Sequence, residues 1–355
     1  MANIIEINTA VPRYKHQQKD LMNFMLNVYK LDDVEKRALR FLYHKSAIDT
    51  RYSVIKDFSL PKDEWTFIPP DLQLFPTIDT RMDWYNKEAL QLGIQACTPL
   101  LKEGRRITHL ITVSCTGMSA PGLDILLLQS LNLDSTVVRT SINFMGCYAA
   151  IHALKMAHYI CAAEKNAEIL IVCVELCTLH FQQPNTPDNI SSSLLFADGA
   201  AAVLVSNRQP INSIKLHDFF SSVSLRGNDS MAWNISKDGF LMKLTNYVPQ
   251  IIEEDIALLV KKSLSKSNLS IKNIQHWCIH PGGRKILEAF EKSVQLSKID
   301  LMYAYNILLN YGNMSSPTVL FVLQQIMENA QKNENIFGCA FGPGLTIETF
   351  TASVN

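Results

Sequence analysis

The sequence predicts an α/β layered fold, and three observations predict it. Short apolar runs alternate with helix-like stretches, they do so in both halves of the chain, and no low-complexity tract or short-period repeat interrupts them. At 355 residues, 47% of them hydrophobic, the chain can bury a large core and exceeds one ordinary small domain. Two domains, or one unit built from two halves, are therefore expected.

In chain order, residues 109–114 read as a buried strand and 136–140 as a second one. The stretch from Ala149 to Ala163 is rich in small residues and poor in charge, which predicts a buried helix. Strands follow at 168–173 and 200–205. The polar, Pro-ended segment Ser206-Asn207-Arg208-Gln209-Pro210 then marks an internal boundary. The second half continues the alternation, with an amphipathic helix at 251–265, a strand at 274–279 and a helix at 284–294. A further helix at 317–331 opens with Pro, and strands at 336–341 and 345–354 flank a Gly-Pro-Gly turn. A duplication of halves fits this order, but a single sequence does not establish it.

Lys+Arg and Asp+Glu both number 33. A neutral chain lacks the basic footprint that general nucleic-acid binding needs, although a small cationic patch for a phosphorylated ligand remains open. No apolar run reaches membrane-spanning length and no signal peptide is evident, so a cytoplasmic protein is expected. The eight cysteines lack the spacing of a zinc site, so no metal is expected, and several lie inside apolar runs as small buried hydrophobes do.

Cys147 stands apart from the other seven. Gly146 permits a tight turn before it, and the predicted helix after it places the thiol near a helix N-terminus, where a thiolate is stabilised. His280 ends a strand and is followed by Pro281-Gly282-Gly283, which aims the ring into whatever cleft that loop lines. Asn313, in Tyr311-Gly312-Asn313-Met314-Ser315-Ser316-Pro317, reads either as an Asx-turn or N-cap residue or as a neutral donor to a developing oxyanion. Singly, each has a structural explanation. Together they suggest thiol catalysis, either hydrolysis or acyl transfer with carbon–carbon bond formation.

Gly146-Cys147, His280-Pro281-Gly282-Gly283, Gly312-Asn313-Met314-Ser315-Ser316 and Phe341-Gly342-Pro343-Gly344-Leu345-Thr346-Ile347-Glu348 together resemble the type III polyketide synthases of the chalcone synthase superfamily. Cys115-Thr116-Gly117, Pro121-Gly122-Leu123-Asp124 and Leu195-Phe196-Ala197-Asp198-Gly199-Ala200-Ala201 extend the resemblance, which runs in order over essentially the whole chain and looks bacterial at Cys115. It implies a thiolase-like fold of five layers, α-β-α-β-α, made of two similar halves in a homodimer. Residues 1–207 would carry the nucleophile, and 208–355 the His and Asn.

By the same resemblance, Cys147 matches the acyl-carrying nucleophile. His280 and Asn313 match the donors that hold the malonyl carbonyl during decarboxylation, with His280 also pairing with the Cys147 thiolate. Phe196 matches the aromatic gatekeeper, Met242 the second gatekeeper where plant enzymes carry Phe, and Trp233 a position where they carry Gly. Cys115 would line the cavity, and Gly342, Pro343 and Gly344 would shape its wall. Lys45 and Arg51 match the segment that binds CoA phosphates. The substrates implied are malonyl-CoA and a starter acyl-CoA, with no cofactor, and the product a pyrone, resorcinol, phloroglucinol or hydroxynaphthalene. An initiation-type ketoacyl synthase using acyl carrier protein, a catalytically silent scaffold of this fold and a thiol hydrolase are the alternatives.

Overall fold

The structure, a computed structural model, describes residues 1–227, 231–245 and 247–355. The first half contains strands β1 (Asn3–Ala10), β2 (Tyr14–Gln17), β3 (Thr50–Ser53), β4 (His109–Ser114), β5 (Val138–Asn143), β6 (Glu168–Leu176) and β7 (Asp198–Ser206). Its helices are α1 (Gln18–Val28), α2 (Asp33–His44), α3 (Ile78–Cys97), α4 (Leu123–Ser130), α5 (Ala149–Ala163) and α6 (Pro187–Leu195). The second half contains β8 (Ile214–Val223), β9 (Met231–Ser236), β10 (Gly239–Leu244), β11 (His276–Ile279), β12 (Asn335–Gly342) and β13 (Thr346–Val354). Its helices are α7 (Val248–Lys266), α8 (Arg284–Val294), α9 (Met302–Tyr311) and α10 (Thr318–Asn329).

Nine strands form one mixed sheet in the order β11-β12-β13-β8-β1-β7-β6-β4-β5. That order contains a repeat. In the first half β4 lies parallel to β6, and β7 and β1 follow antiparallel; in the second half β11 lies parallel to β12, and β13 and β8 follow antiparallel. Among the described residues, the two sets join only where Asn3 and Ile4 pair with Lys215 and Ile214. The duplication that the sequence left open is thus visible in strand pairing, and it assigns partners: the end of β4 corresponds to the end of β11, and the start of α5 to the start of α10.

Packing arranges these elements in five layers. Helix α3 lies on β1, β6 and β7, and α7 lies on β8 and β13, so each half has one outer helical layer. Helix α5 touches β4 and β6 on one side and β13 on the other, while α10 touches β1, β7 and β11. These two helices form the middle layer of a thiolase-like α/β fold. A helix held between the two halves of the sheet must be thin and apolar, which explains why Ala149, Ala150, Ala153 and Ala157 are all fully buried. Strands covered on both faces lose the in–out alternation, and every residue of β7 is buried.

The strand expected at 136–140 lies instead at Val138–Asn143. Thr136 is taken by a turn, its N–H and Oγ1 both donating to Asp134 Oδ1 at 2.8 and 2.6 Å. Among the described residues no helix is long and apolar enough to cross a membrane.

Candidate active site

Cys147 lies in the turn between β5 and α5. The chain reverses there through Gly146 at φ +83°, and a Cβ on Gly146 would fall 2.2 Å from Pro343 Cδ, so glycine is required on two counts. The Gly146 N–H donates to Cys115 Sγ at 3.0 Å. Cys147 Sγ donates to Ser315 Oγ at 3.6 Å. Burial pushes its thiol up to about 12, the Ser315 hydrogen bond opposing that rise and nearby Glu175 adding to it.

His280 directly follows β11, and its N–H extends the β11–β12 pairing by donating to Cys339 O at 2.8 Å. The ring is 1% exposed, and neither nitrogen has a partner among the described residues. Desolvation lowers its pKa to about 3. A neutral, unpartnered imidazole buried in a cavity wall is costly, and a ligand that accepts from it offsets that cost.

Asn313 comes just before α10, the counterpart of α5. Its N–H donates to Leu195 O at 2.9 Å and its carbonyl accepts from the Ala197 N–H at 2.8 Å, which ties it by an isolated bridge to Phe196, between α6 and β7. Its Oδ1 accepts from the Ser315 N–H at 2.8 Å, the Asx turn foreseen as its structural role. That bond fixes the amide orientation, so Nδ2 is the group left to donate. One N–H goes to Gly282 O at 3.2 Å, and a second remains for a ligand. The turn and the donor role therefore support each other.

Glu175 was missed by sequence reasoning, although a lone carboxylate inside the apolar run of β6 was a signal. It is fully buried and accepts from the Cys115 N–H (2.9 Å), Thr116 Oγ1 (2.8 Å) and Ser316 Oγ (2.7 Å). It thus ties the loop after β4 to the loop carrying Asn313. Burial raises its pKa to about 7 against these bonds. His180 was missed as well. Its Nε2 donates to Thr116 O at 2.7 Å, and its Nδ1 accepts from the Phe240 N–H at 3.0 Å.

Cys147, His280 and Asn313 line one cavity of about 350 Å³. It can admit an acyl group to a thiol beside two neutral donors, with a largely apolar wall that excludes water.

The sequence profile for chalcone and stilbene synthases, N-terminal domain, matches residues 1–209, and that for the C-terminal domain matches 221–354. The chain belongs to the chalcone and stilbene synthase family. It is a type III polyketide synthase, and so an acyltransferase of the condensing type; the carrier-protein-dependent and silent-scaffold alternatives are not favoured. The "Alpha-pyrone synthesis polyketide synthase-like Pks18" of Mycobacterium tuberculosis is 28% identical over 98% of this chain and 90% of its own. "Probable polyketide synthase 1" of Dictyostelium discoideum is 29% identical over 97% of this chain, which spans only 11% of that longer protein. The crystal structure of PKS-I from the brown alga Ectocarpus siliculosus superposes with a TM-score of 0.92 at 27% identity, covering 100% of this chain and 98% of that one.

Within this polyketide synthase the remaining expected residues fall into two groups. Phe196, Met242, Trp233, Cys115, Lys45 and Pro343 all line the cavity. Trp233 and Met242 face each other across the β9–β10 hairpin. Trp233 Nε1 donates to Cys115 O at 2.6 Å, and its ring stands edge-on to His180, which stacks on Phe240 at 4.2 Å. A second pocket of about 30 Å³ shares Cys177, Phe196, Trp233 and Met242 with the first.

Three expectations need correction. Arg51 is 2% exposed rather than open to a CoA phosphate. Its Nε donates to Gln18 Oε1 at 2.9 Å and a terminal nitrogen to Phe196 O at 2.5 Å, so it holds the segment that carries Phe196. Gly342 and Gly344 do not line the cavity. Gly342 instead allows Tyr148 to pack closely, since a Cβ would lie 2.5 Å from its ring, and Gly344 takes φ +69° in the turn that presents Pro343. The thiolate–imidazolium pair is also not formed here: Cys147 Sγ donates to Ser315, and burial favours the neutral form of both groups.

Proposed function

We propose that this synthase loads a short acyl group from its CoA thioester onto Cys147, extends it with malonyl-CoA, and releases a small cyclised product. The observation that carries this reading is the Cys147 thiol beside the unpartnered His280 ring and the free Asn313 Nδ2–H in one apolar cavity. In loading, His280 takes the Cys147 proton as sulfur attacks the starter carbonyl, and returns it to the departing CoA sulfur. The ion pair exists only while the substrate is present, so neither charge is buried alone.

In extension, the His280 and Asn313 N–H groups hold the malonyl thioester oxygen. The carbon–carboxylate bond breaks and CO₂ leaves. The electron pair becomes an enolate, whose charge on oxygen is met by the two neutral donors. The enolate carbon then attacks the Cys147 thioester, forming the carbon–carbon bond and freeing the sulfur for another cycle. No resident cofactor takes part in these steps.

The Trp233–His180–Phe240 cluster supports a short starter. It fills the side of the cavity beneath Cys115, and the pocket beyond Phe196 holds only about 30 Å³. The test is mass spectrometry of products from a panel of acetyl- to palmitoyl-CoA starters and from malonyl-CoA alone. A higher kcat/KM for long acyl-CoA than for short starters would overturn the assignment. The protein would act in the cytoplasm as a homodimer. Among the described residues, strand β5 pairs on one side only and leaves Val138 55% exposed, an edge that a second copy can cover. Light scattering at the mass of one chain would remove this part of the proposal.

A further inference from the structure

One wall of the cavity stands apart from the nine-stranded sheet. Among the described residues, β9 and β10 pair only with each other, and Trp233 and Met242 on them line the cavity. A two-stranded hairpin is marginal by itself, so its anchors to the rest of the fold set where it lies. Trp233 Nε1 donates to Cys115 O at 2.6 Å, and the Leu244 N–H to Asp188 Oδ1 at 3.2 Å. At the tip, the Ile78 N–H at the start of α3 donates to Lys237 O at 3.0 Å, and the Phe240 N–H donates to His180 Nδ1 at 3.0 Å. Gln182 completes the tip contact, its Nε2 donating to Asp238 O at 3.0 Å.

Gln182 is 8% exposed, and its amide works as a bridge. Nε2 also donates to His180 O at 3.0 Å, so its two N–H groups meet two carbonyls, one on each side of the contact. Arg81, 1% exposed, steadies the segment from which Gln182 projects by donating to Leu179 O, and to Phe181 O at 3.0 Å. Gly239, at φ +114°, lets the hairpin turn lie against both side chains. A Cβ there would fall 2.9 Å from Arg81 Nε and 3.1 Å from Gln182 Nε2. Gln182 does not line the main cavity. It lines the smaller pocket of about 30 Å³, together with Trp233, Phe240 and Met242 from the hairpin and Phe58 and Phe181 from the first half. Trp233 and Met242 border both spaces, so a shift of the hairpin into the smaller one widens the cavity.

We propose that Gln182 is a positioning residue for starter choice: by holding the hairpin tip it fixes Trp233 and Met242, and through them the width of the cavity beside Cys147. This rests on the acyl-loading reading above. Gln182 touches neither the thiol nor the acyl group, so its loss leaves the chemistry of loading intact. What changes is the balance between a narrow and a widened cavity, by the modest factor that a net hydrogen bond supplies.

The test uses Gln182→Met and Gln182→Leu, two apolar replacements of different shape, so that a packing fault in one is not mistaken for the loss of the bridge. Each is compared with the unaltered protein on acetyl-CoA and hexanoyl-CoA, in the presence of malonyl-CoA. The kcat/KM for hexanoyl-CoA relative to acetyl-CoA should rise about fivefold in both variants, chiefly through a lower KM for hexanoyl-CoA. The burst of free CoA from acetyl-CoA should stay near one per chain. Hydrogen exchange over residues 231–244 should quicken, while that of α3 should not. In a Trp233→Ala background the same replacements should shift the starter ranking much less, because the residue through which Gln182 acts is gone. An unchanged ranking, equal losses with both starters, unaltered exchange in the hairpin, or a full-sized shift without Trp233 would each overturn the role given to Gln182. If the unaltered protein released no burst of CoA with either starter, the loading reading itself would fail, and this assignment with it.

Discussion

The substitution Asn313→Asp removes one donor while leaving the turn around it intact. Oδ1 still accepts from the Ser315 N–H at 2.8 Å, and the backbone bonds to Leu195 and Ala197 are untouched. The change falls on the other terminal atom, where Nδ2 donates to Gly282 O at 3.2 Å and offers its second N–H to the cavity. A carboxylate oxygen there repels the Gly282 carbonyl and the enolate oxygen alike. Loss of one preorganised oxyanion donor typically costs ~10²–10³ in kcat, or about 2.7–4 kcal/mol. That loss belongs to decarboxylation, since loading needs only Cys147 and His280. Two assays separate the steps: CO₂ release from labelled malonyl-CoA, and the burst of free CoA as a starter acylates Cys147. The Asn313→Asp variant should depress CO₂ release at least about a hundredfold and leave the burst amplitude near one per chain. CO₂ release within about threefold of the unaltered protein would refute the donor role given to Asn313.

Further perturbations address the supporting structure. Glu175 has a folded pKa near 7 against an ordinary 4.5, so its protonated form favours folding; that contribution is complete below about pH 4.5 and lost as pH rises through 7. Glu175→Gln should therefore flatten the fall in stability across pH 5–8, a slope worth up to about 3 kcal/mol, as read by urea unfolding at each pH; an unchanged slope would show that another group sets it. Trp233→Ala should cost about 2–3 kcal/mol and join the main cavity to the pocket beyond it, so bulkier starters gain kcat/KM relative to acetyl-CoA; an unaltered starter ranking would show that Trp233 does not limit the space. Gly146→Ala places a side chain at φ +83° and 2.2 Å from Pro343 Cδ, and should lower Tm by several degrees and abolish the CoA burst; a fully active variant would mean that the turn relaxes more easily than its packing indicates.

The elements legible in the sequence were those whose residues share one environment. Helix α5 was read with its observed bounds, Ala149–Ala163, because a helix buried on all sides is small and apolar throughout. Strand β4 at His109–Ser114 and helix α8 at Arg284–Val294 were equally clear, one as a wholly buried run and the other as an apolar stripe closed by flanking turns. Arg51 misled because a basic pair in Lys45-Ser46-Ala47-Ile48-Asp49-Thr50-Arg51 looks solvated. Its burial depends on Gln18 and Phe196, the latter 145 residues away. Glu175 and His180 escaped notice for the same reason: their partners, Cys115, Thr116, Phe240 and Ser316, come from distant loops.

The sequence by itself determined the α/β class, the family through its ordered motifs, and the choice of Cys147, His280 and Asn313 as candidates, which the fold brings to one cavity. Each of these depends on local residue order: a glycine before a thiol, a strand before a histidine, an Asx turn at Asn313. Only the tertiary structure decided that the two halves repeat, so that Cys115 after β4 occupies the counterpart of His280 after β11. The two residues share no chemistry, and strand pairing alone relates them. It also decided that the Cys147 thiol and His280 ring are held neutral and that the cations of the cavity rim are Lys45, Arg284 and Lys285. Charge state and exposure are set by what surrounds a group, and those neighbours are brought together only by folding.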